Sequence, residues 1–175
     1  HIHIPVSTVA RINEPWIAEE LIANGRTDIC MIGRPNLCDS EFANKASAGM
    51  TDDIRPCIGC GRCLTGIMFG KPIACTVNPS VQSDAVEPAE NKKNVLVAGG
   101  GPAGMEAAYV AKMRGHHVVL CEKEPELGGL LRLAAVPIGK QELCRVVKYM
   151  ARRLSNAGVE VRCGYEVTPQ KLALE

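Results

Sequence analysis

The stretch at residues 94–124, "NVLVAGGGPAGMEAAYVAKMRGHHVVLCEKE", decides the fold. An apolar run, Val95 to Ala98, leads into a glycine turn. A helical pattern follows, and a second apolar run, "HVVLCE", ends on Glu122. Strand, turn, helix and strand in this order form the βαβ unit of a parallel sheet. The turn reads Gly99-x-Gly101-x-x-Gly104. Here Gly99 permits the tight turn, Gly101 lets a pyrophosphate approach the backbone, and Gly104 lets the helix lie close to the strand. The helix N-terminus offers unpaired N–H groups to phosphate. Glu122 lies 18 residues beyond Gly104. A carboxylate there can accept hydrogen bonds from a ribose diol, and it suits FAD or NAD better than the 2′-phosphate of NADP. A glycine-rich connector with a solvated Glu is the plainer alternative, and the flanking strand and helix disfavour it.

Downstream, "ELGGLLRLAA" adds the pair Gly128 and Gly129. A second close backbone approach after the ribose acid tilts the reading from NAD towards FAD. A long helix is expected near "KQELCRVVKYMARRLSNAG", where Leu143, Val146, Val147, Met150 and Leu154 form one apolar stripe and Gly158 marks the stop. "VEVRCGYEV" reads as the next strand.

Upstream lies a polar linker, "SVQSDAVEPAENKK", with no apolar period. Before it comes "CIGCGRCLTGIMFGKPIACTVNP", residues 57–79. Its cysteines are spaced Cys57-x2-Cys60-x2-Cys63-x11-Cys75. Three thiolates at such close spacing can converge, and Gly59 and Gly61 relieve the backbone crowding. Ile58, Leu64, Ile67 and Met68 are candidates for an apolar cover. The compact triplet favours an iron–sulfur cluster. Structural zinc stays open, although it more often uses two separated C-x2-C knuckles. Disulfides are disfavoured by the expected reducing compartment. The other five cysteines, Cys30, Cys38, Cys121, Cys144 and Cys163, read as small buried hydrophobes.

The first segment alternates strand and helix. "HIHIPVSTV" and "TDICMIG" read as buried strands. "NEPWIAEELIANG" reads as a helix capped by Asn13, with Pro15 in its first turn, an inward face of Ile17 and Leu21, and Gly25 at its end. "CDSEFANKASAG" reads as a second helix stopped by Gly49. Arg11, Gly33 and Arg34 then fall just past strand ends, where parallel α/β folds collect function. They are candidates for binding phosphate. Capping a helix or pairing with an acid such as Glu14 is the structural alternative.

The bulk numbers exclude several classes. A formal net charge of +1 over 175 residues gives no electrostatic case for nucleic acid or an anionic membrane. No apolar run is long enough to span a bilayer, and no signal peptide opens the chain. A cytoplasmic protein is the default expectation.

The order of the pieces carries more than any one of them. "VARINEPWIAEELIANGRTDICMIGRPNLCDSEFANKA", "RPCIGCGRCL", "CTVNP" and "VLVAGGGPAGMEAA" together resemble the iron–sulfur flavoproteins of the old yellow enzyme class. That class includes 2,4-dienoyl-CoA reductase, the clostridial enoate and bile-acid reductases, and trimethylamine dehydrogenase. The resemblance covers nearly the whole chain. It implies an α/β fold in pieces: residues 1–55 as the last two β/α units of an FMN-binding TIM-type barrel, 56–79 as a 4Fe-4S segment, 80–93 as a linker, and 94–175 as the N-terminal part of a Rossmann-like FAD domain. It implies FMN contacts at Arg11, Gly33 and Arg34, and cluster ligands at Cys57, Cys60, Cys63 and Cys75. It implies FAD contacts at Gly99, Gly101, Ala103, Gly104, Glu122, Gly129, Leu130 and Lys140.

The resemblance also implies an electron relay, NAD(P)H to FAD to 4Fe-4S to FMN, that reduces an activated C=C bond of an enoate or enoyl-CoA type. NAD(P)H would bind through residues outside this chain. Two alternatives stay open: amine dehydrogenation of the trimethylamine dehydrogenase type, and a non-catalytic electron-transfer module. A zinc-stabilised nucleotide-binding domain is a third reading from the residues alone. The reductases commonly have x3 between the second and third cysteines, whereas this chain has x2, as trimethylamine dehydrogenase does. A barrel needs eight strands and about 250 residues, so an internal fragment of a longer polypeptide is expected, with no catalytic acid or base of its own. The partner expected is a small-molecule substrate, with homo-oligomerisation open. An isolated fragment is expected to expose apolar strand edges.

Overall fold

Strand β3 (Asn94–Ala98) pairs in parallel with β4 (His117–Glu122), and β4 pairs in parallel with β5 (Glu160–Cys163). The computed structural model describes residues 3–82 and 86–172, and the side chain of Leu172 is not among the described ones. The chain divides into two compact units, His1–Asp84 and Ala85–Glu175.

In the second unit β4 is central, and its alternating apolar residues Val118 and Leu120 are buried. Helix α5 (Pro102–Met113) connects β3 to β4. Helix α6 (Leu130–Ala134) and helix α7 (Glu142–Asn156) lie between β4 and β5. Met105 and Ala108 of α5 meet Leu154 of α7, Val118, Leu120 and Val159 in one core. Burying side chains of this size is worth roughly 1.5–3 kcal/mol each for the larger ones. The stripe expected on α7 is the one that turns inward, with Val146 and Leu154 buried. Gly158, at φ +68°, sits just beyond the helix end. Arg153 bridges α7 to α5: its guanidinium donates to Glu106 at 2.6 Å and lies over the Tyr109 ring at 3.4 Å from the centroid.

The first unit holds β1 (Ser7–Val9) and β2 (Ile29–Met31), paired in parallel with Thr8 opposite Cys30. Helix α1 (Pro15–Ala23) connects them. Both strands are shorter than the sequence suggests, and they are not buried. Val9, Ile29 and Met31 are exposed, because the described residues of this unit form a sheet of only these two strands. Pro15 begins α1 as expected, but Asn13 does not cap it. The cap position is Glu14, and the Asn13 amide oxygen is buried without a hydrogen-bond partner among the described residues.

The region after β2 also differs from expectation. A short helix α2 (Arg34–Cys38) comes first, and α3 (Phe42–Ser47) starts only after a break. Pro35, near the N-terminus of α2, fits a first helical turn. Asp39 makes the break. Its carboxylate accepts the Glu41 N–H at 3.0 Å, the Arg55 N–H at 2.8 Å and the Lys45 ammonium at 2.7 Å. A single 3-10 turn (Thr51–Asp53) precedes the cysteine segment, and α4 (Arg62–Met68) lies within it. A terminal helix, α8 (Pro169–Leu172), follows β5. Among the described residues no helix is long and apolar enough to cross a membrane.

Candidate functional site

Two sites form, one in each unit. In the second unit the turn after β3 is held by backbone contacts only glycine tolerates. Gly99 has φ +106°, and its N–H donates to Cys121 at 2.7 Å. A Cβ on Gly104 would collide with the Gly99 carbonyl oxygen. Gly101 differs: its φ is −72°, it caps α5, and the space beside its Cα is open. The second glycine pair folds back onto this turn. Gly128 donates its N–H to Gly100 at 2.8 Å, and a Cβ on Gly129 would lie 3.2 Å from the Gly101 Cα. The close approach read from "GG" is therefore made to the first glycine turn.

Glu122, at the end of β4, is buried at 6% exposure. Its carboxylate accepts the backbone N–H groups of Glu124 and Gly100. These bonds, led by that of Glu124, hold it below the usual carboxylate range against the opposing effect of burial. A cavity of about 990 Å³ opens beside it, lined among others by Gly99, Glu122, Gly129, Leu130, Leu133 and Tyr165. That is ample for a nucleotide-sized ligand. The cavity gathers Gly99, Glu122, Gly129 and Leu130 of the expected FAD residues. Gly101, Ala103 and Gly104 lie in the adjoining turn and first helical turn. Lys140 is exposed in the loop before α7 and does not line the cavity.

In the first unit Cys57, Cys60, Cys63 and Cys75 line a single small cavity, together with Arg34, Ile58 and Thr76. Gly59 and Gly61 take left-handed φ values of +64° and +75° to bring the first three together. Two of the four thiols are shifted in opposite directions. Burial pushes Cys57 up, while the Gly59 N–H and the Arg34 charge oppose this. Cys75 is lowered to about 6, first by a hydrogen bond from the Cys38 thiol and then by the N–H groups of Val77 and Asn78, against burial. Cys60 lies 3.3 Å from the Thr76 hydroxyl.

Among the described residues no three His, Cys, Asp or Glu side chains converge on a point that could hold one metal ion. A tetrahedral zinc site needs such convergence on one ion. A four-iron cluster distributes its four thiolates over separate irons. The donor set, four cysteines around one cavity with N–H groups and a hydroxyl at the sulfurs, fits a cluster.

The remaining expectations divide. Ala10 and Arg11, just past β1, both have positive φ, +89° and +52°. Such non-glycine strain costs about 1–3 kcal/mol each and collects at functional sites. The Arg11 guanidinium comes within 3.7 Å of the place a Gly59 Cβ would occupy, so Arg11 lies against the cysteine loop. Gly33 is exposed at the cap of α2, and Arg34 is the first residue of that helix. Leu64, Ile67 and Met68 do not cover the cluster segment; they are 47%, 55% and 80% exposed along α4. Of the five scattered cysteines, Cys38 and Cys121 are buried, Cys30 is half-buried, and Cys144 and Cys163 are exposed. Cys38, read as a small buried hydrophobe, is buried and interacts with Cys75, and Thr76, beside Cys60, was not anticipated. Neither has a spacing signal, because both meet the cysteines through the folded backbone.

Residues 94–170 match the family model described as FAD dependent oxidoreductase. An NADH oxidase from Thermoanaerobacter brockii is 42% identical over 98% of this chain and 27% of its own length. In structure the chain matches a 2-naphthoyl-CoA reductase with a TM-score of 0.91, at 31% identity over 99% of this chain and 27% of that one. It matches an amine oxidase for 6-hydroxypseudooxynicotine from Pseudomonas geniculata N1 with a TM-score of 0.87, at 33% identity over 98% and 27%. Residues 94–170 thus carry the FAD oxidoreductase match, and over nearly its whole length the chain is similar to flavin-dependent oxidoreductases. It spans about a quarter of the length of these relatives. The family match and the cavity beside Glu122 fall on the same unit.

Proposed function

We propose that this chain supplies the electron-transfer part of an iron–sulfur flavoenzyme. In this reading electrons pass from NAD(P)H through FAD, a 4Fe-4S cluster and FMN to an activated C=C bond of an enoate or enoyl-CoA substrate. The carrying observation is that Cys57, Cys60, Cys63 and Cys75 line one cavity whose sulfurs receive N–H and O–H donors. Those four are the proposed ligands. Gly99, Gly101, Ala103, Gly104, Glu122, Gly129, Leu130 and Lys140 are the proposed FAD contacts, and Arg11, Gly33 and Arg34 the proposed FMN-phosphate contacts. Residues 1–55 correspond in this proposal to the last two β/α units of an FMN barrel, 56–79 to the cluster segment, and 94–175 to the start of the FAD domain. The protein's task is to position these groups and tune their potentials. The proposed setting is cytoplasmic, with a small-molecule substrate.

The match to an amine oxidase structure and the x2 spacing between Cys60 and Cys63 support a second reading, oxidation of an amine with electrons flowing the opposite way. Iron, acid-labile sulfide and extracted flavin are measured on the purified holoenzyme, followed by turnover with an enoate and with a methylated amine. About four irons and four sulfides per chain, two flavins, and NAD(P)H-dependent enoate reduction support the first reading. Turnover of the amine alone selects the second. Zinc without sulfide, or no flavin, overturns both.

A further inference from the structure

We propose that Thr76 is a positioning residue acting through Cys60: its hydroxyl donates a hydrogen bond to the Cys60 sulfur and thereby raises the reduction potential of a bound cluster. This rests on the 4Fe-4S reading above.

The Thr76 Oγ1 lies 3.3 Å from the Cys60 Sγ, and both residues line the small cavity of the four cysteines. Either atom of a thiol and hydroxyl pair could donate. A ligand cysteine is a thiolate with no hydrogen to give, so with a cluster bound the hydrogen in this pair belongs to Thr76. Thr76 is the residue next to Cys75. One side chain thus joins the compact triplet to the ligand that is distant from it in sequence.

Both sides of the contact are fixed. Cys60 stands between Gly59 and Gly61, which take left-handed φ values of +64° and +75°. The chain leading to Cys75 is laid on α4: the Lys71 N–H donates to the Gly66 carbonyl at 2.8 Å, and a Cβ on Gly66 would lie 3.0 Å from the Pro72 carbonyl oxygen. Beyond Thr76, the Asn78 side-chain amide donates to the Leu37 carbonyl at 3.3 Å. Cys60 is also the exposed member of the four, whereas Cys57, Cys63 and Cys75 are half-buried. The hydroxyl places an oriented donor at the sulfur that solvent reaches most easily.

Donors at a ligand sulfur draw electron density away from the cluster and stabilise the reduced form, which carries the extra electron. A hydrogen bond to an ionised acceptor is stronger than one between neutral groups. A side chain that only filled space at position 76 would leave the potential unchanged.

The test is an EPR-monitored redox titration of the cluster-loaded holoenzyme, comparing wild type with Thr76→Val, Thr76→Ser and Thr65→Val. Valine keeps the branched shape and sets a methyl group against the sulfur in place of the donor. Thr76→Val is expected to lower the reduction equilibrium constant about three- to tenfold, a tenfold change being about 59 mV for one electron. Thr76→Ser keeps the hydroxyl and is expected to stay near the wild-type midpoint. Thr65 lies in the same segment, but its hydroxyl donates to the Gly61 carbonyl at 3.3 Å. Thr65→Val is therefore expected to leave the midpoint in place. Iron and sulfide content is expected to be unchanged in all three variants. An unchanged midpoint in Thr76→Val, an equal fall in Thr76→Ser, or an equal fall in Thr65→Val overturns the inference while leaving the cluster reading intact. Loss of iron from Thr76→Val also overturns it and makes Thr76 a residue that retains the cluster. Wild-type protein that holds no iron and sulfide sinks the cluster reading itself.

Discussion

The carboxylate of Glu122, the last residue of β4, accepts the backbone N–H of Gly100, in the turn that follows β3. Two adjacent strand ends are thus joined by the side chain proposed to meet the ribose. A carboxylate offers about four acceptor sites, so bonds to Gly100 and Glu124 leave capacity for a diol. Glu122→Gln keeps the shape but places an NH2 group against one of these N–H donors. It is expected to destabilise the second unit by about 1–3 kcal/mol. FAD retention on purification is expected to fall at least tenfold. A variant with wild-type melting and full flavin content would show that the contact does neither.

The same contact fixes a pH dependence. Glu122 has a folded pKa below its unfolded one, and so does Asp39, where the Arg55 N–H and Lys45 outweigh burial. Each therefore adds stability that is fully present above the unfolded carboxylate value of about 4 and lost as pH falls through the depressed folded value. Stability measured by denaturant titration is expected to be flat from neutral pH down to about 5 and to fall steeply below 4. In the double variant Glu122→Gln, Asp39→Asn the acid slope is expected to flatten.

Gly101 and Gly104 separate folding from binding. Alanine at Gly104 collides with the Gly99 carbonyl, so the turn must shift and the second unit is expected to lose several kcal/mol of stability. Alanine at Gly101 meets open space at an ordinary φ. It is expected to leave thermal melting unchanged and to abolish FAD binding, because the methyl group occupies the path of the pyrophosphate. Calorimetry and flavin fluorescence on the two variants check this. Equal FAD affinity for Gly101→Ala and wild type would remove the pyrophosphate from that turn.

Legibility in the sequence follows the range of the forces. The glycine turn, β4 ending on Glu122, and the α7 stripe were readable because each is fixed by local geometry or by the apolar period. The cysteine spacing was readable for the same reason, since Gly59 and Gly61, both at positive φ, sit between the cysteines they bring together. Asp39 was not, because its partner Arg55 is 16 residues away. That contact also explains the missed break between α2 and α3. Cys38 and Cys121 are buried as read, whereas Cys144 and Cys163 were misread, because an apolar neighbourhood in sequence does not fix which face a side chain takes. Exposure along β1 and β2 was misread because an apolar run signals burial only where neighbouring strands supply the cover.

Asp39 holds three segments at once: the end of α2, the start of α3, and the chain at Arg55 that leads to Cys57. Asp39→Asn removes the charge that binds Lys45 and retains only one oxygen for two backbone donors. A loss of about 1–3 kcal/mol in the first unit is expected. The cysteine loop should loosen with it, seen as faster release of iron to a chelator. Asp39→Glu, with a longer reach, should restore part of the stability if charge rather than shape is what matters. Wild-type iron release in Asp39→Asn would separate this carboxylate from the cluster segment.

The two units should also differ in their response to metal removal. The second has a contiguous core of Met105, Ala108, Val118, Leu120, Leu154 and Val159. In the first, the buried apolar side chains are few, with Ile12, Cys38, Phe42 and Ile54 among the described residues. A cluster bound at Cys57, Cys60, Cys63 and Cys75 would cross-link that unit, and binding only the folded form stabilises it by mass action. Stripping the iron is therefore expected to lower one thermal transition and to leave the other in place. Protease cleavage between residues 57 and 79 should quicken, while cuts within α5 and α7 should not. If both transitions fall together, or neither moves, the cluster is not the element that holds the first unit folded.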